Sequence, residues 1–249
     1  MSRLLLIGLV VFALVIVAAT LARASIERKL LFFPTHHPDG DELAPWRDQG
    51  QLIGVARVVK SPRAVWLFCH GNGGQASDRA YALSCFAPDD GVYFLEYPGY
   101  GNRPGVPSAK SINDAAQAAY ARLREDFPNT PVGIAGESIG SGPACILASM
   151  AHGPDKLVLI VPFDRLDLVA RDHFPGWLVR WLLVDNWDNV AALANYRGPV
   201  DIFGAERDQV IPLPHARAFA AAHPAARFTL IPGGHNDWSE SGKVAIRMR

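Results

Sequence analysis

The chain is 249 residues long, 49% hydrophobic and 19% charged, which supplies one sizeable core and excludes a chain disordered throughout. Lys plus Arg equals Asp plus Glu at 24 each, a neutrality that argues against a nucleic-acid partner. Three cysteines, Cys69, Cys85 and Cys145, show neither the number of a disulfide framework nor the spacing of a zinc site.

Leu4 to Ala22 is an uncharged run of 19 residues between Arg3 and Arg23. As a helix it would span about 28 Å, close to the roughly 30 Å of a hydrocarbon core. The expectation is one N-terminal transmembrane helix, a retained membrane anchor over residues 1–28, ahead of a second unit over 29–249. A cleaved signal peptide is the rival reading, because Ala22-Arg23-Ala24 resembles an A-x-A site. Its apolar stretch should be shorter, about 7–15 residues, and Arg23 inside the motif is awkward. Arg3 and the amino terminus flank one end, and Arg23, Arg28 and Lys29 the other. That single-charge difference leans toward a cytoplasmic domain.

Beyond the anchor, strand and helix patterns alternate. Short apolar runs lie at Ala64–Cys69, Val92–Leu95, Val132–Ala135, Leu157–Val161, Val200–Phe203 and Phe228–Ile231. Such runs, without alternation, suit strands buried on both faces. Ser111–Glu125, Ile139–Ala151 and His215–Ala222 have helical composition, the first with Ser108 or Ser111 as its cap. Repeated βα units predict a mostly parallel sheet with helices on both faces. A longer excursion over 163–196 interrupts the alternation and is read as a small helical cap. Ligands of such sheets bind at the carboxyl ends of strands, so the strand-end loops are the candidate sites.

Gly136-Glu137-Ser138-Ile139-Gly140 directly follows one apolar run and opens a helical stretch, the strand–turn–helix setting of a nucleophile elbow. The flanking glycines have a steric purpose, since side chains two residues either side of so tight a turn would collide. A serine hydroxyl needs a base, and of eight histidines His235, in Pro232-Gly233-Gly234-His235-Asn236, lies in a mobile loop just after a strand. His70 also follows a strand but opens a Gly-rich loop; structural or surface roles suit the other six better. Asp208, between the run Val200–Phe203 and a helix, is the candidate to orient the imidazole, with Glu206 as nearest competitor. Two N–H donors must then face the tetrahedral oxygen. Ile139 N–H is one, and Asn72 N–H of His70-Gly71-Asn72-Gly73-Gly74 is the other. Buried and inert is the reading for Cys69. His36, His37, Asp39, Asp41 and Glu42 look like metal ligands on paper, but they lack spacing on a regular element and are read as a solvated loop.

These segments carry a resemblance. His70–Gly74, Tyr97–Gly101, Gly136–Gly140, the Asp208 segment ending Val210-Ile211-Pro212, and Gly233–His235 together resemble the α/β-hydrolase superfamily. More narrowly, the chain is similar to N-terminally membrane-anchored α/β-hydrolase-domain proteins, relatives of serine aminopeptidase and prolyl-oligopeptidase-type enzymes. The order Ser138, Asp208, His235 fits that superfamily rather than chymotrypsin or subtilisin. Two departures, Gly204-Ala205 ahead of the acid and Asn102-Arg103-Pro104 after Tyr97–Gly101, touch no catalytic group. The resemblance implies an eight-stranded, mostly parallel sheet and serine-esterase, thioesterase or peptidase-like activity without a cofactor or metal.

Two tryptophans and five aliphatic residues within Pro175–Val184 suit an acyl pocket or a membrane surface, or else a helix packed on the sheet. The functional expectation is a membrane-anchored serine hydrolase acting on an ester or thioester of a small or lipid-like acyl substrate. A peptidase or amidase with the same residues is the nearest alternative. A non-catalytic membrane-tethered scaffold on the same fold is the alternative from another class.

Overall fold

The computed structural model describes residues 3–248, apart from the side chains of residues 3–8, 10 and 11. Helix α1, Arg3–Leu31, continues the apolar run into Arg23, Glu27, Arg28 and Lys29. Among the described residues no helix is long and apolar enough to cross a membrane. The transmembrane helix expected over Leu4–Ala22 is therefore not found there. The side chains at the head of that run lie outside the described residues, and the charges after Ala22 break the apolarity at its other end. The helix ends at Leu31.

An eight-stranded, mostly parallel sheet forms the body. Its strands are β2 (Ala44–Asp48), β3 (Gln51–Arg57), β4 (Val65–Cys69), β6 (Gly91–Leu95), β7 (Val132–Glu137), β8 (Lys156–Ile160), β9 (Val200–Ala205) and β10 (Arg227–Ile231). Their order across the sheet is β10-β9-β8-β7-β4-β6-β3-β2, with only the β2–β3 and β3–β6 pairs antiparallel. Every residue of β4, β6, β7, β8 and β9 is buried, which explains why these strands read as apolar runs, broken inside only by Asp201 of β9, which pairs with buried Lys156 at 2.8 Å. The antiparallel pair at the sheet edge escaped that reading. Ala44-Pro45-Trp46-Arg47-Asp48 carries a proline and two charges, as exposed edge strands do, and buries one residue. Two further short strands, β1 (Phe33–Pro34) and β5 (Gly73–Gly74), form a separate parallel pair that joins the exit of α1 to the loop after β4.

The helices divide unequally between the faces. Helices α2 (Ala109–Asp126), α3 (Ser141–Ala148), α4 (Leu166–His173), α6 (Asn189–Leu193) and α7 (Leu213–Ala222) contribute to one core, around Leu67, Ile134, Leu159 and Ile202. The opposite face, with Trp66, Phe68, Val158 and Phe203, is covered by the 3-10 helix Ala76–Cys85 and by C-terminal residues Trp238, Val244 and Ile246. Helices on both faces were expected, but no α-helix contributes to this second core among the described residues. Small side chains at Ala76 and Ala82 let the 3-10 helix lie close, and Ile246 pairs with Phe86 beside it.

Local signals set the helix starts. Ser108 Oγ accepts the Ser111 N–H at 3.0 Å, and Ser111 Oγ accepts the Ser108 N–H at 3.0 Å, a reciprocal cap that opens α2. The excursion between β8 and β9 folds as α4, α5 (Gly176–Leu182) and α6. Asp188 caps α6 by accepting the Ala191 N–H.

Candidate active site

Strand β7 ends at Glu137, and Ser138 takes φ +53° before a 3-10 turn, Ser138–Gly140, leads into α3. A left-handed backbone at a residue with a side chain is strained, and it lifts the serine out of the turn. The glycines on either side leave no room for anything larger. A Cβ at Gly136 would lie 2.7 Å from the Gly140 carbonyl oxygen, and one at Gly140 would lie 2.7 Å from the His70 carbonyl oxygen.

The loop after β10 turns at Gly233, φ +94°, and brings His235 to the elbow. His235 Nε2 is 2.9 Å from Ser138 Oγ, and His235 Nδ1 is 2.8 Å from Asp208 Oδ2. Asp208 is fixed from its other oxygen, which accepts the Val210 and Ile211 N–H groups at 2.9 and 2.8 Å. Glu206, its nearest competitor, is exposed. A donor on Ser138 Oγ, an imidazole and a buried carboxylate thus stand in line. The arrangement can deliver a serine oxygen to a carbonyl while the imidazole receives its proton.

Asn72 lies in the loop after β4, and a cleft of about 450 Å³ joins it to Ser138 and His235, with Phe33 and Val210 among its walls. The Asn72 side chain faces the protein rather than the cleft. Its Oδ1 accepts the Phe33 N–H at 3.3 Å and the Tyr100 hydroxyl at 3.0 Å, and its Nδ2 donates to the Leu31 carbonyl. The loop is therefore tied to the last residue of α1. Ile139, the residue after Ser138, is buried at the turn. His70, at the head of the loop, is buried and stacks on Tyr97 with ring centroids 4.1 Å apart.

Sequence reasoning passed over Glu137, the residue between Gly136 and Ser138. Its carboxylate is buried and accepts the Gly71 N–H at 2.9 Å, the Tyr81 hydroxyl at 3.0 Å and the Trp238 Nε1–H at 3.0 Å. Arg79 Nε lies 3.6 Å away, and its guanidinium also donates to the Gly73 carbonyl. Burial alone would raise the Glu137 carboxyl, but Arg79 and these hydrogen bonds outweigh it and hold the group below its ordinary value. Burial likewise works against the Arg79 cation, and Glu137 and Tyr81 more than reverse it. An acid beside the nucleophile was the one signal available from the sequence; its partners come from three distant segments.

The remaining titratable residues have other surroundings. Burial pushes the Cys69 thiol up to about 12, which keeps it from acting as a thiolate. His36 Nδ1 lies 2.8 Å from the Gly101 carbonyl, and His37 Nε2 lies 2.9 Å from Asp78. His215 sits between Asp164 and Asp172, 2.8 Å from each.

No protein-family model matches the chain. An uncharacterized protein of Mycobacterium tuberculosis is 31% identical over 237 residues, covering 86% of this chain and 82% of the relative. Lysophosphatidylserine lipase ABHD12 of Macaca fascicularis is 27% identical over 69% of this chain, which spans only 48% of that protein. Among solved structures, an alpha-beta hydrolase from Vibrio vulnificus superposes with a TM-score of 0.59 at 19% identity, over 74% of each chain. The chain belongs to the α/β-hydrolase superfamily. Within such a hydrolase, the elbow at the end of β7 and the loops after β4, β9 and β10 all open at the carboxyl edge of the sheet, where ligands of α/β proteins bind.

Proposed function

We propose that this α/β-hydrolase is a serine hydrolase that cleaves an ester or thioester of a lipid-like or other acyl-bearing substrate through an acyl-enzyme. What carries the reading is the unbroken run of hydrogen bonds from Ser138 Oγ through His235 to Asp208, 2.9 and 2.8 Å long. His235 takes the proton as Ser138 attacks the carbonyl, while Asp208 holds the imidazole tautomer and stabilises the cation that forms. The N–H groups of Asn72 and Ile139 stabilise the oxyanion, each donor lowering the barrier by about 3–4 kcal/mol. His235 then returns the proton to the leaving group and activates the water that releases the acid.

Two observations support the acyl side of the proposal. One relative bears the name of a lysophospholipid lipase. The other is the uncharged run Leu4 to Ala22 of α1, along which Phe12, Leu14, Val15 and Leu21 are exposed, and from which we infer that α1 lies at a membrane. The domain from residue 29 onward is then held beside its substrate.

The experiment is fluorophosphonate labelling of the full chain in detergent, beside Ser138→Ala and His235→Ala, with the adduct mapped by mass spectrometry. Labelling at Ser138 that both substitutions abolish is expected. A folded protein that never labels would overturn the catalytic reading in favour of a scaffold. In a subsequent substrate panel, peptide turnover above ester turnover would favour an amidase.

A further inference from the structure

Helix α5 and its flanks present an apolar face that the hydrolase body does not cover. The 11 residues from Phe174 to Val184 contain a single charge, Arg180. Trp177 and Trp181, four apart and so on one side of the helix, are 69% and 57% exposed, and Phe174 and Val184 are 48% and 57% exposed. Exposed aromatic residues clustered this densely mark an interaction surface rather than ordinary surface scatter.

Its position identifies the occupant. Helix α5 packs against the C-terminal end of α1, where Leu30 and Leu31 meet Leu178, Val179 and Leu182 around a cavity of about 80 Å³. The buried Glu27 carboxylate of α1 accepts the Val184 and Asp185 N–H groups, so the end of the cap face is fastened to the helix. Helix α1 is uncharged and exposed on every side from Phe12 to Ala22, and its last turn, at Leu30 and Leu31, is the part that meets α5. Tryptophan beside an apolar helix, with Lys29 and Arg180 exposed at the same end, has the chemistry of a bilayer interface: indole rings at headgroup depth and cations toward phosphate. We propose that Trp177 and Trp181 seat the cap on the surface of an anionic lipid bilayer. This rests on the membrane assignment of α1 and not on the serine chemistry.

The tryptophans themselves provide the test. Trp46, Trp66, Trp187 and Trp238 are buried, which leaves Trp177 and Trp181 as the pair that lipid can reach. The full chain is reconstituted into phosphatidylglycerol-containing vesicles with and without brominated acyl chains, and flotation is read alongside tryptophan emission. The expected result is flotation with quenching by the bromolipid, and loss of that quenching in Trp177→Phe/Trp181→Phe, which keeps the face apolar. Flotation without quenching, or quenching that survives in the double variant, overturns the docking while leaving the α1 assignment standing. Protein that does not float overturns both. A blue-shifted emission that depends on protein concentration rather than lipid would instead give the face to a second copy of the chain. Fluorophosphonate labelling of the same samples reads the serine chemistry separately.

Discussion

Glu137 links two structures that must keep a fixed distance. It precedes the strained Ser138, and its carboxylate holds Gly71 N–H, one residue before Asn72. Neutralising it as Glu137→Gln keeps the shape but weakens the pull on Arg79, whose other contacts are the Tyr81 hydroxyl and the Gly71 and Gly73 carbonyls of the same loop. We expect kcat/KM on a soluble ester to fall about tenfold with little change in KM, a smaller loss than the roughly 10²–10³ for deleting an oxyanion donor outright. Steady-state kinetics on protein with an unchanged circular dichroism spectrum decides it; an unaltered kcat would make Glu137 purely structural. Because the Glu137 carboxyl lies below its ordinary value when folded, its stabilisation is present above the unfolded pKa and fades as pH falls through the folded one. At Gly140, alanine would be forced onto the carbonyls of Cys69 and His70. Loss of fluorophosphonate labelling in Gly140→Ala is the expected outcome, from displacement of the elbow rather than from any missing group.

Among the elements, the cap is held to the body by side chains of few kinds. Gly142 of α3 lets Trp187 lie flat on it, because a Cβ there would come within 2.6 Å of the indole ring. Trp187 Nε1 in turn donates to Asn113 of α2 at 2.9 Å. Gly142→Ala should therefore cost about 1–3 kcal/mol by overpacking, seen as a lower Cm in urea. The second fastening is His215, at the start of α7, between Asp164 beyond β8 and Asp172 of α4. Burial disfavours its charge, but the two carboxylates outweigh burial and raise its pKa above the ordinary value. The folded state therefore binds that proton more tightly than the unfolded chain. The resulting stability is complete below the unfolded value of 6.5 and is lost as pH rises through the folded one. His215→Gln should melt well below the parent protein at pH below 6.5 and converge with it as pH rises through the folded value. A gap constant across that range would remove the ion pair as its cause.

For the whole molecule, the sheet separates two cores, and Leu159 of β8 lies fully buried within one of them. Leu159→Ala should destabilise the protein by about 2–5 kcal/mol, measured by urea unfolding. The same doubly buried strands made the architecture readable from the sequence. Phe68, Phe94 and Val158 leave no polar alternation to obscure their runs, and each run ends in a loop rich in glycine or charge. Ser138 and His235 became candidates because each follows the end of such a run, whereas Asp208 shares its loop with Glu206 and is singled out by its 2.8 Å approach to His235. The β2–β3 edge was not legible, since Pro45, Arg47 and Gly54 dilute its pattern. Nor were Arg79, Tyr81 and Trp238, whose meeting at Glu137 depends on how a 3-10 helix and the C-terminal segment fold over one face. Distance along the chain hides such contacts from any local pattern.

The fastening of Asn72 to Leu31 and Phe33 has a consequence for how the protein can be dismantled. A protease cutting near Ser25 would part the body from most of α1 and leave that fastening intact, so on the proposed function the fragment should keep its activity. A cut a few residues later, beyond Pro34, would remove both the strand paired with Gly73–Gly74 and the Leu31 and Phe33 partners of Asn72, and on the proposed function the fragment should lose activity with Ser138, His235 and Asp208 still in place. A window of about ten residues would thus decide whether a fragment parted from its first helix keeps or loses the proposed activity.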